Sequence, residues 1–465
     1  MLIFAPQDKC AGLKPSHTVV RGQPFYPFTF TQMMTETVQD SRSPSAARRS
    51  FKSVTCPFCS LLCDDMNIES RHGRLRVESV RCPRAVTGFE RPSPPASARV
   101  DGVEVDLHEA ITTAAKLLKS SRQPLFGGLA TDVDGMRAAL ALADRTGGIV
   151  DHMLGDGIYR NVLAMQDRGW MMTTLSELRN RADLIVFAGT DVISDHPRFF
   201  ERFVWNKESM FDLDTGGREI IYLGRGLDAG AGVSPQGRQP WHLKNDPQRL
   251  GEIISAARAA LAGNPLQAKT VAGVRTREVN RLVSRLKAAK YPVIVWSPPR
   301  LDFPAADITI AGLCEFIKEL NQFTRCSGLA LGGNEAAATA GAVCTWQSGY
   351  QLRVNFGPGH PEFDPVRNAT GRLLANGEVD ALLWISSFDP AIRPPQSAIP
   401  TILLTPPPEE FDRVYSVYIP VGVPGVDHAG QMCRVDTVVS LPLRKLRDTT
   451  LPSAAMVMQM LLKLL

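Results

Sequence analysis

Short apolar runs that alternate with helical stretches constrain the fold of this chain most strongly. Six runs of five to seven residues are rich in branched side chains, at 124–129, 183–189, 219–224, 292–296, 380–385 and 400–404. Segments with helical periodicity lie between them, at 107–118, from about 134 onwards, at 246–261 and at 275–290. Runs this short, without polar alternation, are typical of parallel strands buried on both faces. We therefore predict an α/β fold with doubly wound parallel sheets in two lobes.

Several of the predicted strands end in glycine or small polar residues. The three segments concerned are 189–191 (GTD), 224–226 (GRG) and 386–390 (SSFDP). In open α/β sheets, ligands bind beyond the carboxyl ends of the strands, where glycine lets backbone amides approach a phosphate. The same residues are also typical of plain strand-to-helix turns, which the lack of a GxGxxG pattern favours. Both interpretations stay open at this point.

Length and charge narrow the class of protein. At about 150 residues per domain, 465 residues predict about three domains. The formal charge of +5, from 52 basic and 47 acidic residues, is too small to indicate a nucleic-acid-binding protein. No stretch approaches the roughly 18 consecutive apolar residues of a membrane helix, and no cleavable leader pattern develops. We expect a cytoplasmic protein that neither spans a membrane nor binds nucleic acid.

Four of the nine cysteines are clustered near the N-terminus. Cys56, Cys59, Cys63 and Cys82 have the spacing C-x2-C-x3-C-x18-C and fall within 27 residues. Ligands two or three residues apart on a tight loop converge on one metal centre. The remaining cysteines show no spacing logic and are interpreted as small buried hydrophobes: Cys10, Cys314, Cys326, Cys344 and Cys433.

The spacing favours an iron–sulfur cluster over zinc. Structural zinc sites usually repeat paired CxxC elements, whereas three close cysteines with a distant fourth suit a cubane whose irons are spread over several ångström. We predict that Cys56, Cys59, Cys63 and Cys82 hold a four-iron–four-sulfur cluster. The alternative is that the four thiols bind nothing.

The segment from Cys56 to Asp65, CPFCSLLCDD, resembles the B subunit of formylmethanofuran dehydrogenase, a relative of molybdopterin oxidoreductases such as formate dehydrogenase. Further similar stretches follow in the family's order, and together they cover about residues 54–447: 174–185, 195–198, 334–335, 346–350, 377–381 with 389–390, and 425–428 through 443–445. The resemblance implies a molybdopterin-oxidoreductase-like fold. It also implies that the four cysteines hold a cluster which passes electrons to molybdenum or tungsten bound by two pterins.

The chain departs from the family pattern at the metal. The family's metal ligand is a cysteine or selenocysteine in a loop just before an Ala-x-Gln element, which is here 164–166. The corresponding loop, 151–159, contains no cysteine, and none lies between Cys82 and Cys314. His152, Asp156 or Gly157 would form a different ligand set for a soft metal, with Asp156 the one candidate oxygen ligand. We therefore expect molybdopterin and its metal to be absent.

The family also has a non-redox branch, the B subunit of a bacterial formyltransferase/hydrolase complex in tetrahydromethanopterin-linked one-carbon metabolism. The chain resembles that protein, and we predict a structural subunit whose partners are the A, C and D subunits. The main alternative is an active molybdenum or tungsten formylmethanofuran dehydrogenase subunit, and a weaker one is a free-standing molybdopterin oxidoreductase. The eight histidines show no HxH or HExxH pairing of a zinc hydrolase.

Basic residues near the similar stretches suggest a ligand. His196, Arg198 and Arg202, and separately Arg434 with 444–445, would attract an acidic molecule such as a glutamate-rich methanofuran analogue. The alternative is a solvated basic surface or a contact with a partner subunit.

We expect four segments along the chain. They are a disordered extension (1–50), a small cysteine domain (51–106), an α/β lobe that is open to interleaving (107–320), and an α/β lobe that resembles the pterin-binding half (321–465).

Overall fold

All six predicted apolar runs form strands in the computed structural model of the chain, which describes residues 48–80 and 82–465. The described strands are β1 (Arg49–Val54), β2 (Met66–Arg71), β3 (Arg74–Val77), β4 (Ala98–Val100), β5 (Val103–Val105), β6 (Pro124–Ala130), β7 (Ile149–Val150), β8 (Leu184–Ala188), β9 (Glu219–Leu223), β10 (Trp241–Leu243), β11 (Thr270–Val271), β12 (Val274–Arg275), β13 (Pro292–Trp296), β14 (Ser327–Ala330), β15 (Val354–Asn355), β16 (Glu362–Phe363), β17 (Ala381–Ser386), β18 (Thr401–Thr405), β19 (Val417–Pro420), β20 (Gly430–Cys433) and β21 (Ser440–Leu443).

The predicted helices are present as well, with bounds close to those expected. The described α-helices are α1 (Pro83–Phe89), α2 (Leu107–Ser120), α3 (Val133–Thr146), α4 (Gly155–Arg168), α5 (Leu175–Arg181), α6 (Leu250–Leu261), α7 (Thr276–Ala288), α8 (Ala306–Leu320), α9 (Ala337–Ser348), α10 (Thr370–Ala375) and α11 (Ala454–Leu464). Asp106 and Asp132 cap α2 and α3 by accepting a hydrogen bond from the backbone three residues ahead, which explains why both helices begin there. Within the described residues, none of the helices combines the length and hydropathy that crossing a bilayer requires.

The larger sheet has nine strands in the order β16-β15-β7-β6-β17-β18-β19-β4-β5. Its five central strands, from β7 to β19, are parallel, and the strands at both edges are antiparallel. The pairing of β4 with β19 places residues 98–105 in this sheet rather than in the predicted cysteine domain 51–106. That part of the predicted boundary was wrong, because the sequence of the short β4–β5 hairpin does not indicate that it pairs with β19, more than 300 residues later.

The smaller sheet has five strands, all parallel, in the order β10-β9-β8-β13-β14. It is formed by residues 184–330, whereas β6 and β7, which precede it in the chain, pair with the strands of 381–420. The two sheets are therefore interleaved across the predicted lobes 107–320 and 321–465. Two parallel sheets flanked by helices confirm the predicted α/β class.

The four clustered cysteines lie beside a three-stranded antiparallel sheet, β1-β2-β3. Three of them are on the loop between β1 and β2, and Cys82 precedes α1, which packs beside β3. Arg49 and Ser50 are the first residues of β1 and pair with Ser70 and Glu69, so the predicted disordered extension 1–50 was wrong at its end. The rest of that prediction lies outside the described residues.

Each parallel sheet has a point where the strand order reverses. In the smaller sheet this point lies between β8 and β13, and in the larger one between β6 and β17. Loops on the two sides of such a point diverge and leave a crevice at the carboxyl ends of the strands, which is where α/β proteins bind ligands. The residues that follow β8, β14 and β17 in these regions lie next to the cysteine loop.

Candidate functional site

The loop from Cys56 to Cys63 connects β1 to β2 as a closed turn. The backbone N–H of Cys56 donates to the carbonyl of Cys63 at 2.8 Å, and the N–H of Leu62 donates to the carbonyl of Cys59 at 3.1 Å. Leu62 adopts a left-handed conformation (φ +47°), which is costly for a branched residue and marks a turn held in place by its surroundings. Cys82 precedes α1 and lies in the same core cluster as the cysteines of this loop.

All four cysteines that the sequence singled out lie together in one buried cluster of the core. Each side chain is at most 6% exposed. Burial raises the pKa of the Cys59 thiol to about 11 and that of Cys63 to about 12. The pKa of Cys56 is also raised, first by burial and then by charge repulsion from the neighbouring Cys59.

The donor set fits a metal cluster, although the sulfurs are not arranged around a single ion. Within residues 48–80 and 82–465, no three His, Cys, Asp or Glu side chains are grouped as ligands of one metal ion. Four soft thiols in an apolar, water-poor surrounding are nevertheless the ligands that an iron–sulfur cluster requires, and a cubane needs them farther apart than zinc does. The four-cysteine cluster site remains a prediction.

Ser60 fastens the cysteine loop to the ends of the smaller sheet. Its hydroxyl donates to the carbonyl of Gly332 at 2.6 Å and lies 3.0 Å from Nε2 of His196, and its backbone N–H donates to Oδ1 of Asn334 at 3.2 Å. Gly332 and Asn334 follow β14, and His196 follows β8. Burial lowers the pKa of His196 to about 4, so its ring is neutral at pH 7. His196 therefore serves the packing of the loop.

The arginines beside His196 are committed to internal carboxylates. Arg198 is 4% exposed and binds both oxygens of Asp65, at 2.6 and 2.7 Å, while Arg202 binds Asp64 at 2.7 Å. These pairs lower the pKa of Asp65 against the opposing effect of its burial. The hypothesis that His196, Arg198 and Arg202 form an open site for an acidic ligand was wrong, because the two acidic residues after Cys63 already occupy both guanidinium groups.

The residues of the second predicted basic group, Arg434 and 444–445, also make internal contacts. Arg434 binds Asp436 through two hydrogen bonds of 2.7 and 2.8 Å, Arg444 donates to the carbonyl of Lys52, and Lys445 pairs with Asp448. Arg434 lines a cavity of about 520 Å³ above the cysteine loop, together with Leu61, Leu62, Asp64, Arg179, Arg202 and Glu208 among others. Positive and negative side chains both line this cavity.

The side chains of the loop 151–159, where the resemblance would place a metal ligand, make internal contacts. The carboxylate of Asp151 is buried, lies 3.3 Å from Nε of Arg353 and accepts a hydrogen bond from the N–H of Thr370 at 2.8 Å. A second nitrogen of Arg353 binds Asp156, the one oxygen ligand that the sequence offered. Both carboxylates thus neutralise one guanidinium group that comes from a segment about 200 residues away.

His152, in the same loop, has no free nitrogen. Nδ1 accepts a hydrogen bond from the N–H of Leu154 at 3.0 Å, and Nε2 donates to the carbonyl of Glu335 at 2.9 Å. Burial lowers the pKa of this ring to about 4.

The cavity beside the loop has a volume of about 10 Å³, which is room for one water molecule. Met153 fills the neighbouring space by packing against two clusters of the core. These residues do not fit a metal bound by two pterins.

A second cavity, of about 400 Å³, opens between the cysteine domain and the ends of both sheets. Its wall contains Phe58 and Phe388, the arginines Arg84 and Arg91, and Glu335. Burial raises the pKa of Glu335, and the guanidinium group of Arg84 lies 3.7 Å from its carboxylate. None of these residues was predicted from the sequence to belong to a site.

No local sequence pattern indicates that Glu335 belongs to this cavity. Glu335 and Ala336 are both left-handed, with φ of +51° and +60°, and such non-glycine conformations concentrate at functional sites. Arg91 fixes the opposite wall by donating to the carbonyl of Phe388 at 2.7 Å and pairing with Asp389. The one signal in the sequence was the placement of 334–335 and 389–390 within stretches that resemble the family.

Gly88 allows the cysteine loop to pack closely against α1, and a larger residue at this position is expected to destabilise the fold. A Cβ at Gly88 would lie 2.4 Å from ring carbons of Phe58, which packs edge-on against Phe89. We expect Gly88→Ala to lower the free energy of unfolding by about 1–3 kcal/mol through overpacking. The matched control is Gly371→Ala in α10, where no atom lies within 4 Å, so the change is neutral or slightly stabilising. Urea unfolding of the two variants measures the difference, and equal midpoints would contradict this packing argument.

Comparison with known proteins identifies relatives over most of the chain. Over 414 residues it is 29% identical to the B subunit of the tungsten-containing formylmethanofuran dehydrogenase 2 of Methanocaldococcus jannaschii, and the match covers 85% of this chain and 94% of that protein. Over 351 residues it is 31% identical to the B subunit of the formyltransferase/hydrolase complex Fhc of Methylorubrum extorquens, and the match covers 72% and 88%. No protein-family model matches the chain.

Two solved structures share the fold. The crystal structure of the formyltransferase/hydrolase complex FhcABCD from Methylorubrum extorquens, in complex with methylofuran, contains a chain with a TM-score of 0.66 and 27% identity, and the match covers 79% of this chain and 98% of that one. Acetylene hydratase from Pelobacter acetylenicus matches with a TM-score of 0.58 over 89% of this chain and 69% of that one. At 9% identity the second likeness concerns the fold alone. It agrees with the predicted molybdopterin-oxidoreductase-like architecture.

Proposed function

We propose a function from one premise: the chain belongs to the family of formylmethanofuran dehydrogenase B subunits, which includes the B subunit of the formyltransferase/hydrolase complex. Within that family we infer that it is a structural component of a cytoplasmic formyltransferase/hydrolase complex. It would act in tetrahydromethanopterin-linked one-carbon metabolism, in the conversion of formaldehyde to formate. Its partners would be subunits of the A, C and D type, which carry the chemistry.

The contacts of the 151–159 loop carry this proposal. A dehydrogenase subunit must offer its metal a thiolate, a selenolate or a comparable free ligand, and a space that two pterins fill. Here Asp151 and Asp156 share Arg353, both nitrogens of His152 are hydrogen-bonded, and the adjacent cavity holds about 10 Å³. A buried ion pair of this kind is costly to break, because either partner left alone is an uncompensated charge. The alternative of an active molybdenum or tungsten subunit is not favoured.

Element analysis of the assembled complex tests the proposal. The tagged full-length chain is purified from its own host without oxygen, its partners are identified by mass spectrometry, and molybdenum, tungsten and pterin are quantified per chain. We expect partners of the formyltransferase and hydrolase type, with neither metal present in proportion to the chain. Molybdenum or tungsten in a one-to-one ratio with the chain, together with bound pterin, would overturn the proposal. A chain that purifies without any partner would also contradict it.

We further propose that Cys56, Cys59, Cys63 and Cys82 hold a four-iron–four-sulfur cluster. When bound, such a cluster exchanges single electrons. The chain itself contributes a water-poor pocket, since the four side chains are at most 6% exposed, and a fixed loop, since Ser60 is anchored at three atoms of the smaller sheet's loops. Without a metallopterin the cluster has no acceptor within this chain, so its role would be structural or vestigial.

A further inference from the structure

The hairpin formed by β2 and β3 carries a row of basic side chains on its outer face. Arg71 lies directly opposite Arg74, and Arg76 lies directly opposite Glu69. The residues between them, Ser70 and Leu75, point to the other face and are buried. Because side chains alternate along a strand, the three guanidinium groups share one surface. They line a shallow cavity of about 500 Å³ together with Glu69, His72 and Leu75.

The turn of the hairpin fixes the register of these arginines. His72 and Gly73 are both left-handed, with φ of +53° and +73°, which is the conformation of a two-residue type I′ turn. Such a turn matches the twist of the flanking strands and leaves no freedom to slip. The backbone positions of the three arginines are therefore fixed before any ligand binds.

Within residues 48–80 and 82–465, no ion pair compensates the positive charge of these three arginines. Glu69 is already bound by Arg48 at 2.6 Å, and among the described residues no carboxylate lies within 4 Å of Arg71, Arg74 or Arg76. Like charges directly opposite each other on neighbouring strands are destabilising. A hairpin that places Arg71 against Arg74 gains nothing for its own stability, which points to an anionic binding partner.

We propose that this face binds an extended acidic segment of a partner polypeptide. Alternate residues of an extended chain are about 6.6–6.8 Å apart, which is also the spacing of Arg74 and Arg76 along β3. Guanidinium groups bind carboxylates through two parallel hydrogen bonds. Acidic side chains at every second position would thus meet Arg74 and Arg76, while Arg71 approaches from the neighbouring strand. This inference does not depend on the proposed function.

Other polyanions fit the surface less well. Base stacking on aromatic rings holds single-stranded nucleic acids, and none of the residues that line the described cavity is a Phe, Tyr or Trp. Peripheral membrane binding combines basic residues with inserted apolar ones, and the one apolar residue in the wall, Leu75, is 4% exposed. A polypeptide partner requires neither feature.

Binding of a short acidic peptide to the full-length chain tests the proposal. The probe is a fluorescent decapeptide with glutamate at alternate positions and serine between them, followed by anisotropy at low and at high salt. We expect binding that weakens with salt, and a loss of about tenfold in affinity for Arg71→Gln/Arg74→Gln/Arg76→Gln. The matched control, Arg122→Gln/Arg137→Gln/Arg277→Gln, removes the same charge from exposed arginines elsewhere and is expected to bind as the unmodified chain does.

Three outcomes would overturn the inference: no binding of the peptide, equal affinities of the two triple variants, or tighter binding of single-stranded DNA or of phosphatidylserine vesicles than of the peptide. Thermal unfolding shows whether the first variant folds. We expect it to melt no lower than the control, because it relieves the repulsion between Arg71 and Arg74. A third variant with lysine at the same positions keeps the charge and is expected to recover only part of the affinity, since lysine lacks the guanidinium fork.

Discussion

Cys59→Ser is expected to leave the purified chain without iron, whereas Cys326→Ser is expected to retain it. A cubane needs four thiolate ligands, and Cys59 supplies one of them from the centre of the loop. Cys326 is equally buried but belongs to a different core cluster, between the helices and the smaller sheet. Iron and acid-labile sulfide, measured after purification without oxygen, give the result directly. We expect about four of each per unmodified chain.

The unmodified chain decides between the interpretations of the four cysteines. One zinc per chain and no sulfide would contradict the cluster and favour a mononuclear site. No metal at all would mean that the thiols are simply buried. Neither result bears on the partners of the chain, so failure of the cluster prediction and failure of the proposed complex are separable.

The variant is expected to fold, which keeps this test interpretable. Burial raises the pKa of Cys59 and Cys63 to about 11 and about 12, so without metal these thiols are neutral at pH 7 and can stay in the core. Serine has nearly the same volume, and the three hydrogen bonds of Ser60 to neighbouring loops are unaffected. Circular dichroism of Cys59→Ser should therefore match that of the control.

The sequence predicted six of the central strands of the two sheets, because buried parallel strands are locally distinctive. Runs such as 292–296 contain little but branched residues, and this composition depends only on neighbours in the chain. The arrangement of the strands was not predictable in the same way. β6 pairs with β17, about 260 residues later, and no local pattern of 124–130 records that partner. The interleaving of the two predicted lobes, and the membership of 98–105 in the larger sheet, follow from such pairings.

The candidate site shows the same division between local and distant information. The spacing of the cysteines is local and identified the loop, which the structure places in one buried cluster. Whether an arginine is ion-paired depends on residues that are distant in the chain. Arg198 and Arg202 looked available in the sequence, yet their partners Asp64 and Asp65 come from a segment more than 130 residues away. Basic residues that follow a strand are thus poor indicators of an anion site until their ion pairs are known.

Acid is expected to destabilise the fold through His152. In the unfolded chain this ring would take up a proton near pH 6.5, whereas burial lowers its pKa in the folded chain to about 4. Between these values the unfolded state binds more protons, so stability is full above pH 6.5 and is lost as the pH falls towards 4. The difference in pKa corresponds to a loss on the order of 3 kcal/mol at the acid end. His196, whose pKa is also lowered to about 4, acts in the same direction.

His152→Asn isolates the contribution of this one ring. The asparagine oxygen can accept the hydrogen bond from Leu154 that Nδ1 accepts now, so the variant keeps the turn but cannot take up a proton. It loses the bond to the carbonyl of Glu335 and is expected to be less stable at pH 7, with a shallower decline of the free energy of unfolding from pH 6.5 to 4. The exposed His108→Asn serves as the control and should keep the full slope. Asp151 opposes the effect in every variant, since burial raises its pKa and its contribution grows as the pH falls. This opposing contribution is common to all of the variants and does not affect their comparison. Equal slopes of the free energy of unfolding against pH for His152→Asn and His108→Asn, measured by urea unfolding, would show that His152 is not a neutral ring with both nitrogens hydrogen-bonded.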